Sequence, residues 1–443
     1  VKGQTEAILA SLDNQVRTGT SQAVVRSLNA SKPILLSCFR RHFRSEILSK
    51  ALTVKILNLC LAKHHSIAKS SCVLSRPYGL IVDPANGCNL ACPGCVHSEG
   101  SRDLKLFDWK PGLLRNDRLS TFLRRFGPYA IQMMFYNYGE PLLNPDTPNF
   151  IRLAKSYLLQ TVLSTHLSLE RFDAGGYVNS GLDFMLLSID GATQGVYEKF
   201  RHRGKLDLVL ENLAKLIDTR QQLRQRTPVV CWQFLAFEHN VHEVPDAIDI
   251  ARELGVDEFK LVRPFDVSWD DPTVRPANIQ PDTFLFNLES ERRMRSNWNP
   301  FPDHLDAKSI EAAFEEDLIH SPHSEPPKTA RHTCRWLYKN MAMDANGRIF
   351  PCSGAPRSNG DLVYANLSAT DPFNSDRYRR ARLFFADRHT FDHENVTDPQ
   401  PYCAQCEFCD GPADIDSTQI RQYLTAAGTG LFSSRSADIL SCW

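Results

Sequence analysis

Three cysteines within eight residues, Cys88, Cys92 and Cys95, stand directly after the first apolar run of an alternating strand and helix pattern. Short apolar runs recur from about residue 78: Tyr78–Asp83, Ile131–Tyr136, Thr161–Ser164, Phe184–Ile189, Val229–Phe237 and Glu258–Val262. Helical stretches such as Val209–Gln225 and Val244–Leu254 separate them. This alternation predicts parallel βα units, and six of them suit a partial or full barrel. Function in such barrels gathers at the C-terminal strand ends, where the cysteine loop falls.

The loop reads Asn86-Gly87-Cys88-Asn89-Leu90-Ala91-Cys92-Pro93-Gly94-Cys95. Thiolates spaced by three and then two residues can wrap one face of a cubane, and soft sulfur is what iron–sulfur clusters select. Three ligands for four irons leave one iron open to another molecule. Zinc is the competing occupant. It prefers four protein ligands in two close pairs, for which His97 would supply the fourth.

Of thirteen cysteines, eight fall into two tight groups. That spacing in a long chain points to metal in a reducing cytoplasm rather than to disulfides. Cys38, Cys60, Cys72, Cys231 and Cys442 are scattered and read as buried thiols. A net formal charge of zero argues against a whole-chain nucleic-acid binder. Lys and Arg interrupt every apolar run before it reaches membrane-spanning length, and Val1 to Val16 is too polar for a secretory signal.

The organisation expected is an α/β protein in four parts. Residues 1–75 form a helical, basic N-terminal extension, with Arg40, Arg41 and Arg44 clustered. It presents either a solvated face packed on the main domain or a docking surface for an anionic partner or membrane surface. Residues 76–265 form the partial (β/α)6 TIM-like barrel, and the Pro-, Asp- and Ser-rich stretch 266–330 connects it onward. Residues 331–443 form a small C-terminal α+β domain that carries the second cysteine group.

A Cys-x3-Cys-x2-Cys loop after the first barrel strand resembles the signature of the radical S-adenosylmethionine (SAM) superfamily, over about residues 78–265. The resemblance implies a [4Fe–4S] cluster whose open iron binds the amino and carboxylate groups of SAM. One electron then splits SAM into methionine and a 5′-deoxyadenosyl radical. Many members place an aromatic residue just before the third cysteine, whereas this chain has Gly94, so adenine packing falls to Tyr136 or Tyr138. Tyr138-Gly139-Glu140-Pro141 resembles the family's Gly-Gly-Glu-Pro turn and implies acceptors for the SAM ammonium. Ser164 and Thr165 stand where relatives carry Thr-Asn-Gly and would reach the methionine or ribose part, with His166 a loop residue or proton donor. Ser188 and Asp190 of the Ser-Ile-Asp-Gly strand end, with Arg201 downstream for the SAM carboxylate, complete the implied SAM contacts.

The second group comprises Cys334, Cys352, Cys403, Cys406 and Cys409. Asn346-Gly347 between the first two is a strong hairpin signal, and the hairpin brings Cys334 and Cys352 to one end. A later loop can then complete a four-thiolate cage, a zinc knuckle being the alternative. Gly347-x4-Cys352 resembles the SPASM and twitch extensions. A full SPASM domain carries seven cysteines, so five imply one auxiliary [4Fe–4S] cluster. Cys334, Cys352, Cys403 and Cys406 are the preferred ligands, with Cys409 able to replace either of the last two.

Such a cluster would accept or relay the electron left after hydrogen abstraction, which favours two-electron oxidation of a sugar, aminocyclitol or similar small metabolite. Two other readings stand beside it: a peptide maturase acting on a ribosomally synthesised precursor, and a non-enzymatic iron–sulfur or zinc protein. A flavodoxin- or ferredoxin-type electron donor is implied by the enzyme readings. Glu238, His239, Arg263 and Asp266 near the barrel mouth are acid–base candidates, none distinguished by its sequence context.

Overall fold

The computed structural model describes residues 46–105, 107–108, 110–264, 271–278, 284–287, 334, 336–354 and 362–386. Strands β1 (Gly79–Val82), β2 (Gln132–Met134), β3 (Gln160–Thr165), β4 (Phe184–Ser188), β5 (Val229–Leu235) and β6 (Glu258–Val262) lie side by side in chain order. All five pairings among them are parallel. The α/β class with a parallel sheet is therefore as expected. β7 (Phe284–Asn287) adds antiparallel to β6. On the other edge β8 (Asn340–Met343) adds parallel to β1, followed by antiparallel β9 (Arg348–Phe350) and β10 (Ala365–Asn366). β8, β9 and β10 thus share a sheet with β1, whose edge would otherwise expose unpaired backbone.

These strands read as near-continuous apolar runs because both faces are covered. One face, with Leu80, Val82, Met133, Leu163, Met185, Leu187, Val230, Trp232 and Phe259, joins the main core. That core lies under α3 (Asn116–Phe126), α4 (Thr147–Ser156), α5 (Ala174–Val178), α7 (Leu206–Gln222) and α8 (Val244–Leu254). α3 shows how sequence places such a helix, since Leu119, Phe122, Leu123 and Phe126 recur every three or four residues and are buried. The short helices α2 (Glu99–Asp103) and α6 (Gln194–Phe200) sit in the loops that follow β1 and β4. The opposite face of the sheet, with Ile81, Met134, Val162, Phe184, Ala342 and Phe350, forms a second, smaller cluster.

α1 (Glu46–Ile67) belongs to the extension expected to be helical, and it packs Leu59 and Ala62 against Tyr78 and Ile131, at the strand starts. Lys55 is buried; its Nζ donates to the Gly127 carbonyl at 2.9 Å and to the Ala130 carbonyl, and burial pushes its pKa down to about 7. Asn58 donates to the Arg76 and Tyr129 carbonyls and accepts the Arg76 N–H. Arg40, Arg41 and Arg44 lie outside the described residues. No helix among the described residues is long and apolar enough to cross a membrane.

The C-terminal elements α9 (Trp336–Lys339) and α10 (Asp376–Ala386) are joined by one fully buried guanidinium. Arg382 donates to the carbonyls of Leu337, Phe373 and Ser71 and lies over the rings of Phe373, Tyr378 and Tyr338 at 4.6, 5.2 and 5.5 Å. Burial lowers its pKa to about 10, which still leaves it charged at neutral pH. Arg382→Leu strands three carbonyls at once and is expected to cost about 3 kcal/mol of stability, read as a lower midpoint in chemical denaturation.

Candidate functional site

The site begins where two backbones touch. The turn after β2 presses on the loop leading to Cys88: a Cβ at Gly139 would lie 1.6 Å from the Ala85 carbonyl oxygen. Only glycine permits that approach. Around it, the N–H groups of Tyr138 and Gly139 donate to Asp83 Oδ1, and the Glu140 N–H donates to the Gly87 carbonyl at 2.8 Å.

The cysteine loop is buried against an apolar pocket. Leu90, Cys92, Phe200, Phe237 and Val274 form its core, with Cys88, Cys95 and Leu235 packed on it. The Cys95 N–H closes back on the Cys92 carbonyl. Gly94 has φ +73°, a left-handed conformation that favours glycine, which explains why no aromatic residue stands there. Burial raises the thiol pKa values of all three cysteines, that of Cys92 to about 11 against the pull of Arg201. Among the described residues no three His, Cys, Asp or Glu side chains gather as one metal ion would require. A single zinc needs its sulfurs within about 3.8 Å of one another, given ~2.3 Å Zn–S bonds. Cluster ligands bind separate irons and carry no such demand. The three soft donors in one apolar pocket are of the kind that iron–sulfur clusters take.

Arg201 follows α6 and enters the same pocket. Its Nε donates to Asp190 Oδ2 at 2.6 Å, and its Nη1 stands 4.0 Å from Cys92 Sγ. Burial alone would lower the Arg201 pKa; Asp190 and Cys92 raise it above the ordinary arginine range. Asp190 in turn accepts the Leu235 N–H at 2.7 Å. Asn240 donates to the carbonyls of Asp190 and Leu235, and Trp232 Nε1 donates to the Ile189 carbonyl. The β4 and β5 ends are thereby locked to each other.

Glu140 has two buried oxygens with protein donors already in place: the N–H groups of Leu142 and His166, and Thr165 Oγ1 at 2.7 Å. Glu140 and Thr165 thus tie β2 to β3. Burial raises the Glu140 pKa to about 7. His166 Nδ1 accepts the Ser168 N–H, which puts the proton of the neutral ring on Nε2, 3.1 Å from Glu140 Oε2. Burial lowers the His166 pKa to about 3, so at neutral pH it is an uncharged loop residue. Ser164 and Ser188 bring their hydroxyl oxygens within 3.5 Å of each other, half-buried at the ends of β3 and β4. Tyr136 is half-buried and donates to Met134 Sδ. Glu238 is exposed, and His239 stacks on Phe237 with its pKa lowered by burial to about 4. Asp266 lies outside the described residues.

The hairpin expected around Asn346-Gly347 is present, with Gly347 at φ +86°. Its turn lies beside the first cysteine loop, where the Ala345 N–H donates to Asn86 Oδ1 at 2.8 Å. By register Cys352 falls opposite Asn340, at the strand-start end of β1 and β8, and it packs on the Ile81 face of the sheet. The Gly354 N–H donates to Cys352 Sγ. Cys334 precedes α9 at the same end of the hairpin; Cys403, Cys406 and Cys409 lie outside the described residues.

Sequence reasoning missed four buried polar residues that hold the site. Asp83 anchors the Gly139 turn, and Asn86 joins the cysteine loop to the hairpin. Asn240 links β4 to β5, and Glu243 accepts from the Ala192 and Thr193 N–H groups. The one signal available was a polar residue closing an apolar run, as Asp83 does after Val82.

Gly139→Ala is expected to push the turn off the cysteine loop and cut iron bound after anaerobic reconstitution at least about fivefold, about 1 kcal/mol or more by the usual conversion. Asp83 gives a pH signature. Burial raises its pKa to about 7, so the folded chain holds a proton that the unfolded chain releases near pH 4. Its contribution to stability is then complete below about pH 4 and lost as pH rises through about 7. Asp83→Asn keeps the acceptor oxygen without the charge. In denaturation of the metal-free chain it is expected to exceed wild-type stability near pH 8, with the gap shrinking towards pH 5.

No family model matches the chain. Against curated proteins it is 27% identical over 183 residues to a probable GTP 3′,8-cyclase of Methanococcus maripaludis, covering 41% of this chain and 56% of that one. It thus spans just over half the length of that relative. It is 20% identical over 283 residues to the PqqA peptide cyclase of Gluconobacter oxydans, covering 63% and 71%. Overlap with solved structures is loose. Streptococcus suis SuiB bound to S-adenosylmethionine gives a TM-score of 0.42 at 14% identity, covering 75% of this chain and 70% of that one. The similarity to the curated relatives supports the resemblance to the radical SAM superfamily.

Proposed function

We propose that the chain is a radical SAM oxidoreductase that carries out a two-electron oxidation of a sugar, aminocyclitol or other small metabolite. The observation that carries this reading is the convergence on one buried pocket of Cys92, Arg201 and Asp190, beside a Gly139 turn pressed onto the same loop. Cys88, Cys92 and Cys95 would hold the first [4Fe–4S] cluster. SAM would lie along the strand ends among Tyr138, Gly139, Glu140, Ser164, Thr165, Ser188, Asp190 and Arg201. Cys334, Cys352, Cys403 and Cys406 would hold an auxiliary [4Fe–4S] cluster, with Cys409 as a substitute for either of the last two. Bound there, these groups would supply a radical able to take a hydrogen atom from carbon, and an acceptor for the second electron.

The chain's own residues supply the setting. Leu90, Phe200, Phe237 and Val274 keep water from the thiolates. Arg201 places a fixed positive charge beside Cys92, offsetting the negative charge that three thiolates bring into a dry site. Glu140 and Asp190 orient the strand ends, while the half-buried Ser164 and Ser188 hydroxyls can donate or accept. Cys352 lies at the opposite end of β1 from Cys88, on the order of 15 Å away at ~3.3 Å per strand residue. A substrate held against the Ile81 face of the sheet would sit between Cys352 and the first cysteine loop. An electron carrier of the flavodoxin or ferredoxin type would serve the first group.

A second reading, modification of a peptide, is favoured by the similarity to the PqqA peptide cyclase, which extends over 71% of that protein. Both readings require two clusters. Anaerobic reconstitution is expected to give about eight irons per chain, falling to about four in a Cys88/Cys92/Cys95→Ala variant. Wild-type chain with dithionite should also release 5′-deoxyadenosine from SAM. Four irons falling to none would remove the auxiliary cluster, and bound zinc without iron would overturn the enzyme reading.

A further inference from the structure

The face of the sheet opposite the main core changes character along its strands. Its lower part is apolar, with Ile81, Met134, Val162 and Phe184. Towards the C-terminal ends of β4, β5 and β6 the register places Ser188 beside Gln233 and Gln233 beside Lys260. Side chains paired in register on parallel strands share a face, and alternation assigns these three to the face of Phe184 and Leu186. All three are half-buried, whereas their neighbours Leu187, Trp232, Phe234, Phe259 and Leu261 are fully buried on the helix side. Among the described residues the Gln233 amide and the Lys260 ammonium have no hydrogen-bond or ion-pair partner. Ser188 has only the 3.5 Å contact with Ser164.

A half-buried ammonium in line with an amide and a hydroxyl on one sheet face is costly unless something completes it. Lys donates three hydrogen bonds and accepts none, a glutamine amide adds two donors, and a serine adds one. Five donors on two neighbouring strands, beside the Ser188 hydroxyl, match the oxygens of a carboxylate or phosphate, and a charge-assisted contact of this kind is strong where water is scarce. Glu258 lies one step lower on the same face, next to Cys231, so the positive end of this face is the one nearer the strand ends.

We propose that Gln233 and Lys260, beside the Ser188 hydroxyl assigned to SAM, form an anchoring subsite for an anionic group, carboxylate or phosphate, on the substrate turned over by this chain. The assignment to a substrate rests on the radical SAM reading; the anion site itself does not. SAM carries a carboxylate of its own, and the test separates the two sources.

The full chain is treated with a lysine-acylating reagent, and modification is followed lysine by lysine in mass spectrometry. Inorganic phosphate or acetate, compared with chloride at equal ionic strength, is expected to slow acylation of Lys260 about tenfold while exposed Lys110 and Lys205 change little. Gln233→Leu should weaken that protection. Saturating SAM alone should leave Lys260 reactive, and Lys260→Met should bind SAM within about threefold of wild type. Unchanged Lys260 acylation in both anions overturns the subsite. Full protection by SAM alone, or loss of SAM binding in Lys260→Met, assigns the anion to SAM and overturns the substrate role. A wild-type chain that binds no SAM sinks the radical SAM reading instead, and the anion arm still decides whether the subsite exists.

Discussion

The close approach of Gly139 to the Ala85 carbonyl is the contact on which the site depends. It is a backbone-to-backbone contact with no side chain to relax, so it fixes the separation of the β2 turn and the cysteine loop. Asp83 holds the same turn from beneath through two N–H groups, and the Glu140 N–H completes it on the Gly87 carbonyl. A flexible cysteine loop would have to be ordered by its cofactor at the cost of backbone entropy, about 1–2 kcal/mol per residue. Here much of that ordering is built into the fold before anything binds.

The same economy runs through the buried charges. Isolated, Asp190 and Arg201 would each be expensive to desolvate. Paired at 2.6 Å, with Asp190 also accepting the Leu235 N–H, they become a strut between β4, β5 and the pocket of Cys92. Arg382 solves the problem differently, with carbonyls and aromatic faces in place of a carboxylate. The first pair stands where charge has a use beside thiolates. The second stands among C-terminal elements, where only geometry is required.

The order of the strands was legible because period and length decide it. All six parallel strands start and end within about two residues of the apolar runs. Gly139 and Gly347 were legible as turn glycines for the same reason that they are needed. What could not be read was the partner of each polar group. Glu140 and Thr165 look like cofactor contacts in sequence, which does not show that they also bond each other. Asp83 and Asn240 look ordinary in sequence, and they hold the site because of neighbours far along the chain. Nor did spacing reveal that β8 would pair with β1, since a strand shows no preference between an edge and a domain of its own.

That pairing gives the sheet its direction. Because β8 runs parallel to β1, its hairpin turn must lie at the strand ends and Cys352 at the strand starts. Cys352 is thereby held apart from the first cysteine loop, with apolar residues nearer Cys352 and the Ser188, Gln233 and Lys260 row nearer the loop. A molecule bound between them would meet an apolar floor and a polar rim. Such a gradient orients an amphiphilic molecule without any lid, because reversing it would bury charge against Phe184 and expose carbon to Lys260. The parallel register of one short strand therefore fixes how far Cys352 stands from the first cysteine loop.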